Sequence, residues 1–360
     1  MAREQGPEIV MSIDPEFGFS PVKKADANRD ESGRGAIAAA LRAPEWGLLA
    51  GILAIVAFIY FIDPSRNFFS EYSLKNVLHN VALYGVLALG AATVIIAGGI
   101  DLSVGAVVAL SSVVCAKMLT EWLPGLPKPG ETIAPGLVMV AVAATLLVGL
   151  AVGLLHALMI NQLRLPPFIA TLATMAGLRS VAILLSKNRS INVTSSTFRL
   201  LGSDNRYTVP IFIAVAIVMS VVMGATVLGR HLFALGGNET AARLSGLRTT
   251  RLKAFAYGIS GMLSALGGVL FTGNTGQAQG TMGVSYELYA ITAAVVGGCS
   301  LAGGVGSIRG TVLGLVLIQI VIKGTGIVVK NIDSSQIEGL VLGTVVVLAV
   351  AFNQRFRGRG

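Results

Sequence analysis

Charge is what this chain has least of. Only 12% of its 360 residues are Asp, Glu, Lys or Arg, against 54% hydrophobic, and the mean hydropathy is +0.76. A soluble domain of this size carries about twice that charged fraction. Surface-to-volume scaling leaves a globule too much surface to hide so many apolar side chains. Cysteine is nearly missing too: Cys115 and Cys299 both lie inside apolar runs, so no disulfide framework follows and both read as small thiols packing helices. The three histidines, His79, His156 and His231, are scattered without ligand spacing, and no metal site is expected. No Lys is followed by Ser or Thr, which removes the phosphate-cradling P-loop. With no Ser/His/Asp elbow, His-Glu-x-x-His helix or kinase set either, no catalytic residues are expected. The first 44 residues lack an early apolar stretch, which argues against a cleavable signal peptide.

What the chain does have is long apolar runs and 44 glycines, a combination suited to helices packed closely in lipid. Ten spans are read, at roughly 46–62, 76–97, 102–120, 134–160, 166–185, 209–228, 253–273, 286–302, 307–327 and 336–352. The expected fold is therefore an all-α polytopic membrane protein of about ten transmembrane helices, some interrupted. Residues 1–44 read as a mostly disordered tail with a short amphipathic helix near Ile37–Arg42, 45–353 as the transmembrane domain, and 354–360 as a basic end.

The net charge of +9 does not point to nucleic acid, because the Lys and Arg residues lie between spans and at the two ends rather than on one soluble face. Lys23, Lys24, Arg29, Arg34 and Arg42 in the tail, Arg355, Arg357 and Arg359 at the far end, and Arg230, Arg243, Arg248, Arg251 and Lys253 between spans six and seven all belong in the cytoplasm. Both termini are thus expected there. One loop resists this rule: residues 186–208 carry Lys187, Arg189, Arg199 and Arg206 against a single Asp204, yet the span count puts them outside. Either the count slips by one hairpin or the outward cations have a task, such as docking a periplasmic partner.

Three segments carry the functional reading. In Gly98-Gly99-Ile100-Asp101-Leu102-Ser103, paired glycines interrupt the helix beside a carboxylate that costs about 2.5–3.5 kcal/mol at mid-bilayer. Such a break bares backbone groups to a polar solute; alternatively Asp101 simply caps a helix beginning at Leu102. In Gly236-Gly237-Asn238-Glu239-Thr240-Ala241-Ala242-Arg243-Leu244-Ser245-Gly246, Asn238 and Glu239 suit a helix start and Gly246 a helix stop. The resulting short helix, with small Ala241 and Ala242 and basic Arg243, is either a connector or a dock for a cytoplasmic partner. In the third segment, Gly297-Gly298 repeats the first break, Gly98-Gly99-x-x-Leu102-x-x-Gly105 aligning with Gly297-Gly298-x-x-Leu301-x-x-Gly304, and Gly306, Gly310 and Gly314 form a stripe at four-residue spacing.

In this order and spacing the three motifs resemble those of the permeases of bacterial ribose, xylose, galactose and arabinose ABC importers, over roughly residues 46–353. The resemblance implies a multi-pass inner-membrane subunit that pairs with a second permease chain, identical or homologous. Its further partners would be two cytoplasmic ATPase subunits, which bind ATP and Mg, and a periplasmic sugar-binding protein. No cofactor is expected in this chain. The resemblance further implies that Glu239, Ala241, Ala242 and Gly246 contact the ATPase. Two departures are visible: Glu287-Leu288-Tyr289-Ala290-Ile291 where relatives carry Glu-Leu-Asp-Ala-Ile, and Lys323-Gly324 where they carry Asn-Gly. The alternatives are a permease for another polar solute (a polyol, a furanose signal, a nucleoside or a branched-chain amino acid) and an ion-coupled secondary transporter. The latter calls for several intramembrane carboxylates, and Asp101 is the strongest candidate.

Overall fold

The computed structural model describes residues 10–14, 18–22, 44–126, 132–328 and 338–347. The rest of the tail, including the helix expected near 37–42, and the basic end 354–360 lie outside the described residues. Within the tail, β1 (Val10–Asp14) pairs antiparallel with β2 (Gly18–Val22), Val10 opposite Val22 and Ile13 opposite Phe19. Val, Ile and Phe at these positions favour extended pairing.

The other described residues are mainly helical. The main helices are α1 (Pro44–Ile62), α2 (Glu71–Ile96), α3 (Val104–Lys117, extended by a π turn to Trp122), α4 (Pro135–Asn161), α5 (Pro167–Ser186), α7 (Asn205–Ala225), α10 (Thr249–Thr275) and α12 (Ile308–Val328). Each of these eight, α3 together with its π turn, contains a stretch long and apolar enough to cross a membrane, and two shorter apolar helices, α11 (Tyr286–Val296) and α13 (Glu338–Val347), lie within the eighth and tenth expected spans. Between them come the short α6 (Ser196–Ser203), α8 (Val227–Gly237) and α9 (Glu239–Leu244), and a two-residue ribbon of β3 (Ile191–Asn192) with β4 (Gln277–Ala278).

Helices α2, α3 and α10 form the centre. Their packing is set by glycine: a methyl on Gly149 or Gly153 of α4 would land on the Gly261 or Tyr257 carbonyl of α10, so only hydrogen lets these backbones meet. By contrast α1, α4, α5 and α7 turn large apolar residues outward, among them Phe61, Met139, Leu147, Leu184 and Ile217, faces suited to lipid or a second chain. The 286–302 span ends early, at Val296, because Gly298 turns left-handed (φ 92). Of the expected glycine stripe, Gly310 and Gly314 do pack α12 on the end of α11, but Gly306 lies before α12 and touches Cys299 and Ile96 instead.

Helix ends sort onto two opposite faces. On one, His79 of α2 meets Asn205 of α7 at 2.6 Å and Asn274 of α10 at 3.1 Å, and β3 pairs with β4. On the other, Glu45 accepts from Ser307, Asn161 donates to the Thr250 carbonyl, and Gly304 donates to the Ile96 carbonyl. The 186–208 loop therefore sits at the opposite end from the 226–248 loop, as the uninterrupted span count requires.

Candidate functional site

The first break is built by α2 closing on itself. Gly98 adopts φ 82, and the Gly98 and Gly99 amides donate back to Ile95 and Val94 at 2.9 Å each. The second break repeats this geometry: Gly298 has φ 92, and Gly298 and Cys299 donate to Val295 and Ala294 at 3.0 and 2.8 Å. Both are left-handed helix terminations satisfying the last carbonyls. The structural repeat thus pairs Gly98 with Gly298, one residue off the alignment suggested by the sequence. Gly297 has ordinary backbone and is glycine for another reason, since a methyl there would strike Gly310. A methyl on Gly99 would strike the Tyr257 hydroxyl.

After the first break the chain runs without regular structure to α3, which starts at Val104 rather than Leu102. Asp101 does serve that start: its Oδ1 accepts the Ser103 amide at 2.9 Å and the Ser103 hydroxyl at 2.6 Å. Its Oδ2 accepts the Ser260 hydroxyl at 2.8 Å, which ties the break to α10. Asp101 and Ser103 are both buried, so the carboxylate faces protein rather than lipid. Ser260 lies about 16 Å along α10 from its start at 1.5 Å per residue, near its middle.

Close to this point is a charge in the fifth span that escaped the reading from sequence, although an Arg inside an apolar run is itself a signal. Arg179 of α5, half-buried, donates to the carbonyls of Met282 and Gly283 at 2.9 and 3.4 Å and interacts electrostatically with Glu287 at the start of α11. Glu287 Oε2 reaches to 2.5 Å of where a Gly105 side chain would begin, so Gly105 keeps the start of α3 open to it. Asp101, Arg179 and Glu287 thereby gather polar groups where α3 and α11 begin.

Helix α9 forms as expected. Asn238 caps it, accepting the Ala241 amide at 2.9 Å, and Gly246 ends it at φ 84. Lys253 of α10 holds Glu239 at 2.6 Å. Its two alanines part company, however: Ala241 is exposed, whereas Ala242 is buried against the chain itself, so Ala242 seats the helix and does not front a partner. The outward side carries Ala241, Arg243 and Leu244, the last 83% exposed and not singled out from sequence. Beside α9 a cavity of about 660 Å³ is lined by Gly98, Gly99, Arg164, Arg243, Lys253 and Tyr257, among others.

On the opposite face the basic 186–208 segment is a folded cap. Ser195 accepts the Phe198 amide to start α6, and Phe198 and Gly202 are buried, Gly202 against α10 at Leu270 and Gly273. Lys187, Arg189, Arg199 and Arg206 are all exposed. Arg206 bonds Asp204 at 2.7 Å, and this hydrogen bonding holds the Asp204 carboxyl below its ordinary range. Arg199 lies over Gly276. Among the described residues no group of three metal-ligating side chains is found.

Known proteins resemble the chain over most of its length. Residues 73–350 match the family described as the branched-chain amino acid transport system / permease component. The chain is 32% identical over 315 residues to the ribose import permease protein RbsC of Haemophilus influenzae, covering 85% of this chain and 92% of that one. It is 34% identical to RbsC of Bacillus subtilis, covering 86% and 92%. To the galactose/methyl galactoside import permease protein MglC of Escherichia coli it is 32% identical over 325 residues, covering 86% and 94%. No solved structure matches.

Proposed function

The chain belongs to the permease family of the branched-chain amino acid transport type, and from that premise we propose that it is the membrane-spanning subunit of an ATP-driven sugar importer in the bacterial inner membrane. The observation that carries the mechanism is α9: a capped, salt-bridged helix with an uncovered small and apolar edge, on the same face as the end of α2 and the starts of α10 and α12. That edge, Ala241, Arg243 and Leu244, docks a separate cytoplasmic ATPase, which binds ATP and Mg; Asn238, Glu239, Ala242 and Gly246 shape it. Two such ATPases, a second permease chain and a periplasmic sugar-binding protein complete the assembly.

The solute passes along the side of the chain where Arg179 and Glu287 stand, against the second permease chain. A guanidinium and a carboxylate there offer donors and acceptors to hydroxyl groups while cancelling each other's charge. Gly98, Gly99, Asp101 and Ser103 set the interruption between α2 and α3, and Gly297 and Gly298 the one between α11 and α12, so that the chain is broken twice along its path through the membrane. The cap bearing Lys187, Arg189, Arg199 and Arg206 meets the binding protein, with both termini in the cytoplasm.

The test is reconstitution of the chain with its ATPase and binding protein in proteoliposomes. ATP-dependent uptake of a monosaccharide such as ribose or galactose is expected, with no uptake when the ATPase is omitted. The family description favours one competing reading, a branched-chain amino acid as solute. Leucine uptake in place of sugar uptake would establish it, and uptake driven by an ion gradient without ATPase would dismiss both.

A further inference from the structure

Three segments distant in sequence meet backbone to backbone beside α9. Gly304 donates its amide to the Ile96 carbonyl at 2.9 Å, fastening the 297–307 loop to the end of α2. Gly236, in the last turn of α8, fits against both: a methyl there would land on the Ile96 carbonyl oxygen and stand 2.5 Å from the Gly304 amide. A methyl on Gly303 would stand 2.6 Å from the Gly236 carbonyl oxygen and 2.7 Å from Gly98 Cα, and one on Gly98 3.2 Å from Gly236 Cα. No side chain of these glycines lies between the three backbones.

We propose that this junction of Gly98, Gly236, Gly303 and Gly304 transmits displacement of α9 to both helix breaks, which makes these glycines positioning residues for transport. The proposal rests on the reading of α9 as the ATPase dock. Gly236 precedes the first residue of α9, Glu239, by one turn of chain, and Gly98 precedes Asp101, the anchor of α3, by three residues. Movement of α9 therefore reaches α3 through Gly236 and Gly98, and α12 through Gly303 and Gly304. A flexible side chain absorbs a small shift by changing rotamer, but packed backbone passes it on, because close-packed interfaces deform in discrete steps. Lys253 adds a second tie, so that α9 shifts together with α10.

Adjacent glycines on one helix supply the experiment. Gly236→Ala and Gly237→Ala change helix propensity alike, but a methyl at Gly237 meets nothing within 4 Å. In proteoliposomes holding the permease, ATPase and binding protein, Gly236→Ala should keep the ATPase bound and hydrolysing while solute uptake per ATP falls about 10-fold, a typical size for a lost coupling between sites. Gly237→Ala should keep the parent ratio. An unchanged ratio for Gly236→Ala, or equal losses in both variants, would overturn the proposal. So would loss of bound ATPase from Gly236→Ala, because the junction would then shape the dock rather than transmit from it. Should Gly236→Ala fail to assemble, Gly98→Asn takes its place, since Asn accepts the left-handed turn yet crowds Gly236 at 3.2 Å. It must lower uptake per ATP more than Gly298→Asn, at the matching turn where an added Cβ meets nothing within 4 Å. The docking reading fails by a different observation: full ATPase retention by Leu244→Asp.

Discussion

Asp101 accepts a 2.8 Å hydrogen bond from Ser260, a residue 159 positions further along the chain, and so joins the first helix break to the centre of α10. The remaining oxygen serves Ser103 twice, through amide and hydroxyl. Asp101→Asn preserves this pattern, because its carbonyl oxygen still accepts from Ser103 and its amide can donate to the Ser260 hydroxyl. Asp101→Ala leaves three buried donors without acceptors, at about 1–3 kcal/mol each. The Asp101→Asn variant should therefore unfold within a few degrees of the parent in detergent and retain most uptake, whereas Asp101→Ala should be clearly less stable or fail to assemble. Equal thermal stability of the two would contradict an anchoring role.

The Glu239–Lys253 pair, 2.6 Å apart with the Lys side chain only 18% exposed, fixes how α9 lies on α10. Lys253→Glu places two carboxylates together and should loosen α9, lowering uptake per ATP. The exchanged pair Glu239→Lys with Lys253→Glu restores attraction and should recover most of the loss. Each pair of this kind contributes little, about 0.2–1 kcal/mol, so the effect is read in coupling rather than in thermal stability. A double variant no better than Lys253→Glu alone would mean that the charge pair does not position the helix.

Much of this organisation was readable from residue order alone. Apolar runs marked the helices, and the six-residue helix between Asn238 and Gly246 could be placed because its cap and stop are local chemistry. Helix starts were less readable where polar residues form the first turn. Helix α2 begins at Glu71 rather than near 76 because Ser70 accepts the Ser73 amide, and α7 begins at Asn205 rather than 209 because Asp204 accepts the Arg206 amide. The repeat of the two breaks was visible but one residue out of register, since Gly297 and Gly298 look alike in sequence and differ in φ and in packing. The inward turn of Ala242 and the meeting of Gly236 with Gly98 and Gly304 depend on tertiary packing, which no local pattern encodes.

The outer cap offers the last prediction. Residues 186–208 carry four cations against one anion, a formal +3. The depressed pKa of Asp204 keeps its pair with Arg206 ionised at neutral pH, and that pairing is lost only on acidification through the lowered value. Arg199 is exposed over Gly276, so Arg199→Glu cuts the net charge of the cap to +1 without breaking an ion pair found among the described residues. If an acidic surface of the binding protein docks here, its association rate should fall about 3- to 10-fold at low ionic strength, through lost electrostatic steering. The difference should shrink as salt shortens the screening length to about 8 Å at 0.15 M. Stopped-flow measurement across a salt series checks this, and a rate unaffected at low salt would remove the cap as a docking surface. The side of the membrane is read independently by a cysteine at Ser203, which is exposed, whereas Ser195 is buried and caps α6. Both native cysteines are buried, so background labelling is low. Reaction of Ser203→Cys with a membrane-impermeant maleimide in intact cells is expected; protection there, with labelling in inverted vesicles, would place the cap inside and the α9 face outside.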